Sequence, residues 1–216
     1  MRRFGFVPWI APEGLPFVLG SIFVAVAVHV VLGFCFSWFF IVLALFVAQF
    51  FRDPVRTVVC SDPGLVMSAA DGRVVCITQT EDPYLKRPSI KVSVFMNIFN
   101  VHRNRAPVSG RVCNKWYTPG KFINASLDKS SDSNERCALW LKTDEGFDVV
   151  CVQVAGLVAR RILCYVSTSQ VVQVGQSYGF IRFGSRLDMY LPIESRLLVS
   201  IGDRVKASLT ALCELP

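Results

Sequence analysis

The stretch LPFVLGSIFVAVAVHVVLGFCFSWFFIVLALFVAQFF, residues 15–51, is 37 residues long and contains no Asp, Glu, Lys or Arg. As one straight helix it would measure about 55 Å, against about 30 Å for the hydrocarbon core of a bilayer. The run weakens at Gly-Phe-Cys-Phe-Ser, residues 33–37. It therefore predicts a hydrophobic helical hairpin, which would cross a bilayer with some tilt or dip into one leaflet.

The charges that flank this run predict its orientation. Arg2 and Arg3 precede it, Arg52 and Arg56 follow it, and the predicted turn carries no charge. The positive-inside rule places both ends in the cytoplasm. A signal peptide is disfavoured, because its apolar region is only about 7 to 15 residues long. We expect residues 1–51 to form a retained anchor at the cytoplasmic face of the cell (inner) membrane. A buried helix pair in a soluble core is the alternative.

Residues 52–216 differ in pattern: they contain short runs rich in β-branched residues, in which apolar and polar residues alternate. GRVVCITQT (72–80), SIKVSVFMNIF (89–99) and FDVVCVQVAG (147–156) are examples. Such runs, separated by turn residues, are typical of half-buried strands. The sequence predicts a mainly β chain, with a β-sandwich or barrel-like domain after the hairpin. Residues 156–163 suit a short helix or a strand.

The composition of the chain limits the classes of protein and of binding partner that it suits. The chain has 216 residues, 52% hydrophobic and 18% charged, with a net charge of +7. High hydrophobicity excludes a disordered protein. The positive charge, with no nucleic-acid-binding motif, favours an anionic lipid surface over nucleic acid. The eight cysteines form no CxxC pair and no zinc spacing, so we expect free thiols and no metal.

Three short segments contain candidate catalytic residues, although each segment taken by itself has an ordinary structural explanation. His102 lies in FMNIFNVHRNRAPVSG (95–110), read as a strand followed by a basic loop. Asp71 lies in SAADG (68–72), where Asp-Gly is a hairpin signal. Gly184 and Ser185 lie in GFIRFGSRLDMYLP (179–192), where a strand bend is the ordinary explanation.

Seven blocks, in order, resemble the short, single-domain type of phosphatidylserine decarboxylase proenzyme, a pyruvoyl-dependent decarboxylase family. The resemblance covers nearly the whole chain, and its most specific pieces are RFGSR and NVHRNRAP. The blocks are FFRDPVR (50–56), SAADG (68–72), FMNIFNVHRNRAPVSG (95–110), YTPGKF (117–122), NER (134–136), QVAGLVARRI (153–162) and GFIRFGSRLDMYLP (179–192).

The resemblance implies that the chain cuts itself between Gly184 and Ser185. The Ser185 hydroxyl would attack the preceding carbonyl to give an ester. β-Elimination would then release the upstream chain and leave dehydroalanine, which loses ammonia to become a pyruvoyl group. The products would be a β chain of residues 1–184 and an α chain of residues 185–216. This zymogen would need no metal and no pyridoxal phosphate.

The resemblance also implies the mature reaction, a step of phospholipid biosynthesis. The pyruvoyl carbonyl would form a Schiff base with the amine of phosphatidylserine and accept the electrons left by carbon dioxide. The products would be phosphatidylethanolamine and carbon dioxide. Asp71 would orient or charge a histidine in the self-cleavage triad, and His102 matches that histidine. Because Arg105 stands where the long bacterial form has a second histidine, His102 would serve both maturation and proton transfer, or another group or water would take one role.

Two other functions remain open at this point. One is a non-enzymatic, membrane-tethered β scaffold, and the other is a pyruvoyl decarboxylase of a soluble amino acid, against which the hairpin argues. We expect phosphatidylserine in an anionic membrane as the substrate and the β and α chains as partners, with any higher homo-oligomer left open. Arg103, Arg105 and Arg182 are candidate phosphate or carboxylate partners, or ordinary solvated charges.

Overall fold

The computed structural model describes residues 9–58, 62–120, 134–156, 162–182 and 185–216. The chain separates into two compact units, Met1–Val55 and Arg56–Pro216. The assignment of residues 1–51 as a membrane anchor and 52–216 as a decarboxylase domain stays a prediction.

The first unit is a pair of packed helices. A single 3-10 turn, Pro12–Gly14, leads into helix α1 (Leu15–Leu32), and helix α2 (Phe34–Phe50) follows. Gly33 separates them with a φ of 78°, a left-handed conformation that side chains other than glycine rarely adopt. The predicted division of the apolar run near residues 33–37 is thus confirmed.

Apolar side chains cover the outside of this helix pair. Val30, Val31 and Phe23 are 77%, 76% and 73% exposed. Contiguous exposed apolar surface of this kind marks a membrane or partner surface. Pro12–Leu32 has the length and composition of a helix that crosses a membrane, whereas α2 is shorter.

The second unit is built from fourteen short strands, and no helix follows Phe51 in the part of the chain that the structure describes. The mainly β fold predicted from the sequence is confirmed. The strands are β1 (Leu65–Met67), β2 (Gly72–Asp82), β3 (Arg87–Met96), β4 (Arg103–Arg105), β5 (Gly110–Thr118), β6 (Arg136–Lys142), β7 (Asp148–Ala155), β8 (Ile162–Cys164), β9 (Val171–Val172), β10 (Ser177–Ile181), β11 (Ser185–Pro192), β12 (Arg196–Leu197), β13 (Arg204–Val205) and β14 (Ala211–Glu214).

An antiparallel, curled sheet of eight strands forms the centre of this unit. Its order is β13-β2-β3-β11-β7-β6-β5-β9, so β11 lies between β3 and β7. Two three-stranded sheets, β4-β10-β8 and β1-β14-β12, complete the unit. Because β11 is hydrogen-bonded on both sides, its residues are held more firmly than those of an edge strand.

Side chains of β11 alternate between two buried faces. Leu187, Met189 and Leu191 belong to the main hydrophobic core, whereas Tyr190 packs in a second cluster on the opposite face. This period of two is what the alternating sequence predicts. Ser185 has the same parity as Leu187, so the core face includes its hydroxyl.

The block 179–192 contributes two strands, β10 and β11, which belong to different sheets. The structure corrects two details of the strand assignments. The run 89–99 ends as a strand at Met96. The expected basic loop after His102 is instead a strand, β4, because its backbone pairs with β10. Gly184, most of the segment 124–136 and most of the segment 156–163 lie outside the described residues.

Candidate functional site

Ser185 is the first residue of β11 and is fully buried. Its backbone pairs with Met96 of β3 on one side and Ala155 of β7 on the other. Among the described residues its Oγ has one polar partner, the Met96 Sδ at 4.0 Å. A thioether is a weak acceptor, so this contact leaves the hydroxyl available to a stronger partner.

His102 is also fully buried, immediately before β4. Its carbonyl oxygen accepts a hydrogen bond from the Ile181 amide at 3.3 Å, and its ring centroid lies 6.5 Å from that of Phe180. Ile181 ends β10 and precedes Ser185 by only four residues. The pairing of β4 with β10 therefore brings the histidine beside the segment that leads to the serine.

The Asp71 carboxylate lies in a tight, buried ion pair. Arg56 donates to both oxygens, with an Nη2–Oδ2 distance of 2.6 Å, and the Ala207 amide donates to Oδ1 at 2.9 Å. These are the hydrogen bonds of the Asp71 side chain within the described residues. A hydrogen bond from His102 to Asp71, as the family triad would require, stays a prediction.

Backbone contacts nevertheless bring the Asp71 segment close to the His102 segment. The Arg105 amide donates to the carbonyl oxygen of Ala69 at 2.9 Å. Gly72 follows Asp71, and a Cβ there would lie 2.1 Å from the carbonyl oxygen of Phe95 in β3. Glycine is thus required for the close approach of β2 to β3, and the approach positions the aspartate.

Two buried amide side chains lie beside Ser185, and sequence reasoning did not select them. Asn104 donates from Nδ2 to the Met96 Sδ at 3.9 Å, the same sulfur that the Ser185 hydroxyl contacts. Gln153 donates to the Asn104 Oδ1 at 2.8 Å. The Oε1 of Gln153 is buried without a hydrogen-bond partner among the described residues. A chain of contacts therefore runs from Gln153 of β7 through Asn104 of β4 and the Met96 sulfur of β3 to the serine.

Asn134 and Glu135 of the NER block (134–136) contact the strand that pairs with Ser185. Asn134 donates from Nδ2 to the carbonyl oxygen of Ala155 at 2.7 Å, and the Ala155 amide donates to the carbonyl oxygen of Glu135 at 2.9 Å. Ala155 is the residue that pairs with Ser185. Residues 134 and 135 thus support the strand that flanks the serine.

The three candidate arginines differ in their surroundings. Arg103 is buried and donates a hydrogen bond to the Tyr165 hydroxyl at 3.0 Å. Its guanidinium carbon lies 5.4 Å from the ring centroids of both Tyr165 and Phe180. Arg105 is buried and donates to the carbonyl oxygen of Gly175 at 3.2 Å. Arg182 is only half-buried and is the most accessible of the three.

A pair of thiols lies on the strands near this site. A hydrogen bond from Cys137 of β6 lowers the pKa of Cys164 of β8 to about 7, while the same bond and burial raise the pKa of Cys137. Cys164 pairs with Gly179 of β10, upstream of Ser185. The seven described cysteines are all free thiols. Within the described residues, no group of three or more His, Cys, Asp or Glu side chains could hold a metal ion.

Comparison with known proteins identifies the family. The family model for phosphatidylserine decarboxylase matches residues 43–213. Three similar proteins carry the name phosphatidylserine decarboxylase proenzyme, and each alignment covers at least 95% of both chains. The one from Nitrosomonas europaea is 54% identical over 207 residues, the one from Aromatoleum aromaticum 55% over 209, and the one from Burkholderia ambifaria 53% over 208.

The chain belongs to the phosphatidylserine decarboxylase family. The resemblance drawn from the seven ordered blocks is confirmed, and so is the expectation of an enzyme of this class. Membership in the phosphatidylserine decarboxylase family argues against a non-enzymatic scaffold.

The residues that sequence reasoning missed all lie inside the quoted blocks. Arg56 ends FFRDPVR, Gln153 begins QVAGLVARRI, and Met96 and Asn104 lie in FMNIFNVHRNRAPVSG. Their positions in those blocks were the available signal. Their roles could not be predicted, because the role of a buried arginine or amide side chain depends on the group that it hydrogen-bonds, and the sequence does not show that group.

Proposed function

We propose that this chain decarboxylates phosphatidylserine to phosphatidylethanolamine, using a pyruvoyl group made from Ser185 by self-cleavage after Gly184. The observation that carries the proposal is the environment of Ser185 in a chain of this family. The serine is fully buried at the start of the central strand, and its oxygen meets only a thioether among the described residues. A buried hydroxyl with a strong acceptor would be less available to attack a carbonyl.

Self-cleavage begins when the Ser185 Oγ attacks the Gly184 carbonyl carbon and the peptide C–N bond breaks, which leaves an ester and a free amine. Removal of the Ser185 α proton expels the Gly184 carboxylate. The remaining dehydroalanine takes up water and releases ammonia. Serine needs a base for the first step, because its hydroxyl is a weak nucleophile at its own pKa.

His102 is the proposed base, and the pairing of its carbonyl with the Ile181 amide supports this role. Asp71 is the proposed partner of the histidine in the triad. Its carboxylate already receives Arg56 and the Ala207 amide, which hold it in one orientation. With no second histidine in the described β unit, His102 also supplies the proton that replaces the carboxylate of the substrate.

The residues present fit a pyruvoyl group, which accepts hydrogen bonds but donates none. Asn104 offers an amide donor beside the serine and holds only a thioether with it among the described residues. The pyruvoyl group supplies an electron sink for decarboxylation without pyridoxal phosphate. The chain's own residues then orient the carbonyl, exclude water and move protons.

The helix pair suits this reaction, because the substrate is a component of the bilayer. We propose that residues 1–51 anchor the enzyme at the cytoplasmic face of the cell membrane. The exposed apolar side chains of α1 and α2 support a lipid environment. The β unit, residues 56–216, carries 20 basic and 14 acidic residues and would be attracted to anionic head groups.

Processing is tested on the full chain, purified in detergent and separated by denaturing electrophoresis. We expect two chains, residues 1–184 and 185–216, and an α chain that lacks the mass of one ammonia relative to an N-terminal serine. Ser185→Ala should leave the chain whole. Ser93→Ala is the matched control, since Ser93 is a buried serine of the neighbouring strand β3, and it should process normally.

An uncut wild-type chain would contradict self-cleavage, and a 32-residue fragment from Ser185→Ala would show that the cleavage site is wrong. Activity is tested by the release of carboxyl-labelled carbon dioxide from phosphatidylserine vesicles. We expect release by the processed chain, none by Ser185→Ala, and none from free serine. Release from free serine would instead favour the soluble amino acid as substrate.

A further inference from the structure

A short turn of residues 97–100, Asn-Ile-Phe-Asn, joins β3 to β4 and is here called the apolar turn. Its two asparagines define its shape. The Asn97 amide donates to the Asn100 Oδ1 at 2.9 Å, and the Phe99 amide donates to the Asn97 Oδ1 at 2.9 Å. The Asn100 amide also donates to the Asn97 carbonyl at 3.0 Å. The turn is thus closed by its own side chains, which is how asparagine stabilises tight turns.

This turn presents two large apolar side chains to solvent. Phe99 is 60% exposed and Ile98 is 41% exposed. Single exposed apolar residues are ordinary on a protein surface, but an adjacent pair held outward by a closed turn is less so. Aromatic and aliphatic side chains of this kind bury themselves readily at the boundary between head groups and acyl chains.

The apolar turn is continuous with the candidate site at both ends. Met96, immediately before it, pairs with Ser185 and contacts its hydroxyl through the sulfur. His102 follows Asn100 by two residues. Insertion of the turn into a surface would therefore bring Ser185 and His102 close to that surface.

The surface that the apolar turn would bind is identified from the family's substrate and from the net charge of the β unit. The family's substrate is a phospholipid whose head group lies at the bilayer surface, and the β unit carries six more basic than acidic residues. An apolar tip on a β unit of net positive charge suits an anionic bilayer, which offers acyl chains below negative head groups.

We propose that the apolar turn inserts Ile98 and Phe99 into an anionic phospholipid bilayer and so holds the site over the head groups of its substrate. This inference rests on the proposed function, because it assigns a means of substrate access to the same site. It makes the β unit a membrane-binding element in its own right, additional to the predicted hairpin anchor.

The test compares two forms of one substrate on the processed full chain. Decarboxylation is measured on phosphatidylserine in vesicles and on short-chain phosphatidylserine dissolved below its micellar concentration. The readout is the ratio of the vesicle rate to the dissolved-substrate rate. Phe99→Ser should lower this ratio, and the double variant Ile98→Ser with Phe99→Ser should lower it about tenfold or more, since each substitution removes an apolar contact with lipid.

Val171→Ser is the matched control. Val171 is 55% exposed, close to the value for Phe99, and pairs with Arg111 near the end of the sheet remote from Ser185. It should keep the wild-type ratio. Phe99→Leu should also keep it, because leucine retains the apolar character. Complete self-cleavage of each variant verifies that it folds.

A double variant with the wild-type ratio would overturn the proposal, and so would an equal loss of rate on both substrates, which would indicate a disturbed site. A ratio lowered equally by Val171→Ser would indicate general surface apolarity and would also overturn it. If the wild-type chain released carbon dioxide from neither substrate, the proposed function itself would fail.

Discussion

At the scale of single residues, the candidate site depends on buried charges and amides that hold one another in place. Asp71 and Arg56 are the clearest case, with side chains only 10% and 9% exposed. A buried pair of this kind adds little net stability while intact, because desolvation of the two charges offsets their attraction, but loss of one partner leaves an uncompensated charge. The arginine that ends FFRDPVR is therefore a positioning residue for the aspartate.

Arg56→Met should destabilise the β unit by about 3 to 5 kcal/mol and slow self-cleavage, because the Asp71 carboxylate loses its cation in a buried site. The measurement is thermal unfolding in detergent, together with the rate of appearance of the α chain. Arg196→Met is the matched control, because the Arg196–Glu214 pair is 70% and 42% exposed and should contribute less than about 1 kcal/mol. Equal effects of the two substitutions would contradict the assignment.

Cys164 should show an unusual pH dependence. The hydrogen bond from Cys137 lowers the pKa of Cys164 to about 7, so its reactive thiolate accumulates as the pH rises through 7. We expect the rate of iodoacetamide labelling at Cys164, followed by peptide mass spectrometry, to rise with a midpoint near pH 7. Cys137→Ala removes the donor and should move that midpoint up, towards the ordinary value of about 8.5. An unchanged midpoint in Cys137→Ala would rule out the stated cause.

At the scale of secondary-structure elements, β11 explains how a cut chain can remain one molecule. Its residues from Ser185 to Pro192 pair with β3, and those from Ser185 to Tyr190 pair with β7. β14, also part of the proposed α chain, pairs with β1. Cleavage before Ser185 would leave all of these ladders intact.

The α chain should accordingly remain bound to the β chain after processing, because β11 is hydrogen-bonded to β3 on one side and β7 on the other, and its core side chains stay buried. Gel filtration in mild detergent should elute both chains together, and a denaturing gel of that peak should separate them. Loss of the α chain under native conditions would contradict this prediction. A urea-treated sample provides the control in which the chains do separate.

Strand positions were largely predictable, and strand ends were not. Alternation of apolar residues indicated β2, β3, β7 and β11, since the period of two depends on neighbouring residues alone. The bend at Gly184 and Ser185 indicated an interruption in the segment 179–192, but the assignment of β10 and β11 to two different sheets was not visible, because it depends on partner strands far away in the sequence. The strand β4 was read as a basic loop, because its arginines are buried by partners far away in the sequence.

At the scale of the whole molecule, apolar helix surface and net positive charge are two separate reasons to bind a membrane. The helices expose side chains such as Phe23 and Val30. Charge attraction is screened by salt, with a Debye length of about 3 Å at 1 M, whereas apolar insertion is not. The two contributions can therefore be separated experimentally.

The full chain should remain with phosphatidylserine-containing vesicles in 1 M salt and be released by detergent. The measurement is co-sedimentation, or flotation, of the processed enzyme over a range of salt concentrations. Release by 1 M salt alone would contradict insertion of the helices and would indicate purely electrostatic attachment. Vesicles without anionic lipid are the control, and they should retain the chain as well.

The sequence by itself determined the helical hairpin, the mainly β class and the family, and it predicted the cleavage bond. Each of these depends on local information, either an uninterrupted apolar run, a period of two, or a motif such as RFGSR. Only the tertiary structure decided that Ser185 shares the Met96 sulfur with Asn104, that Gln153 holds Asn104, and that Arg56 holds Asp71. Met96 and Ser185 are 89 residues apart. Their contact depends on the register of antiparallel strands, which is set by the packing of the whole sheet and not by any local pattern.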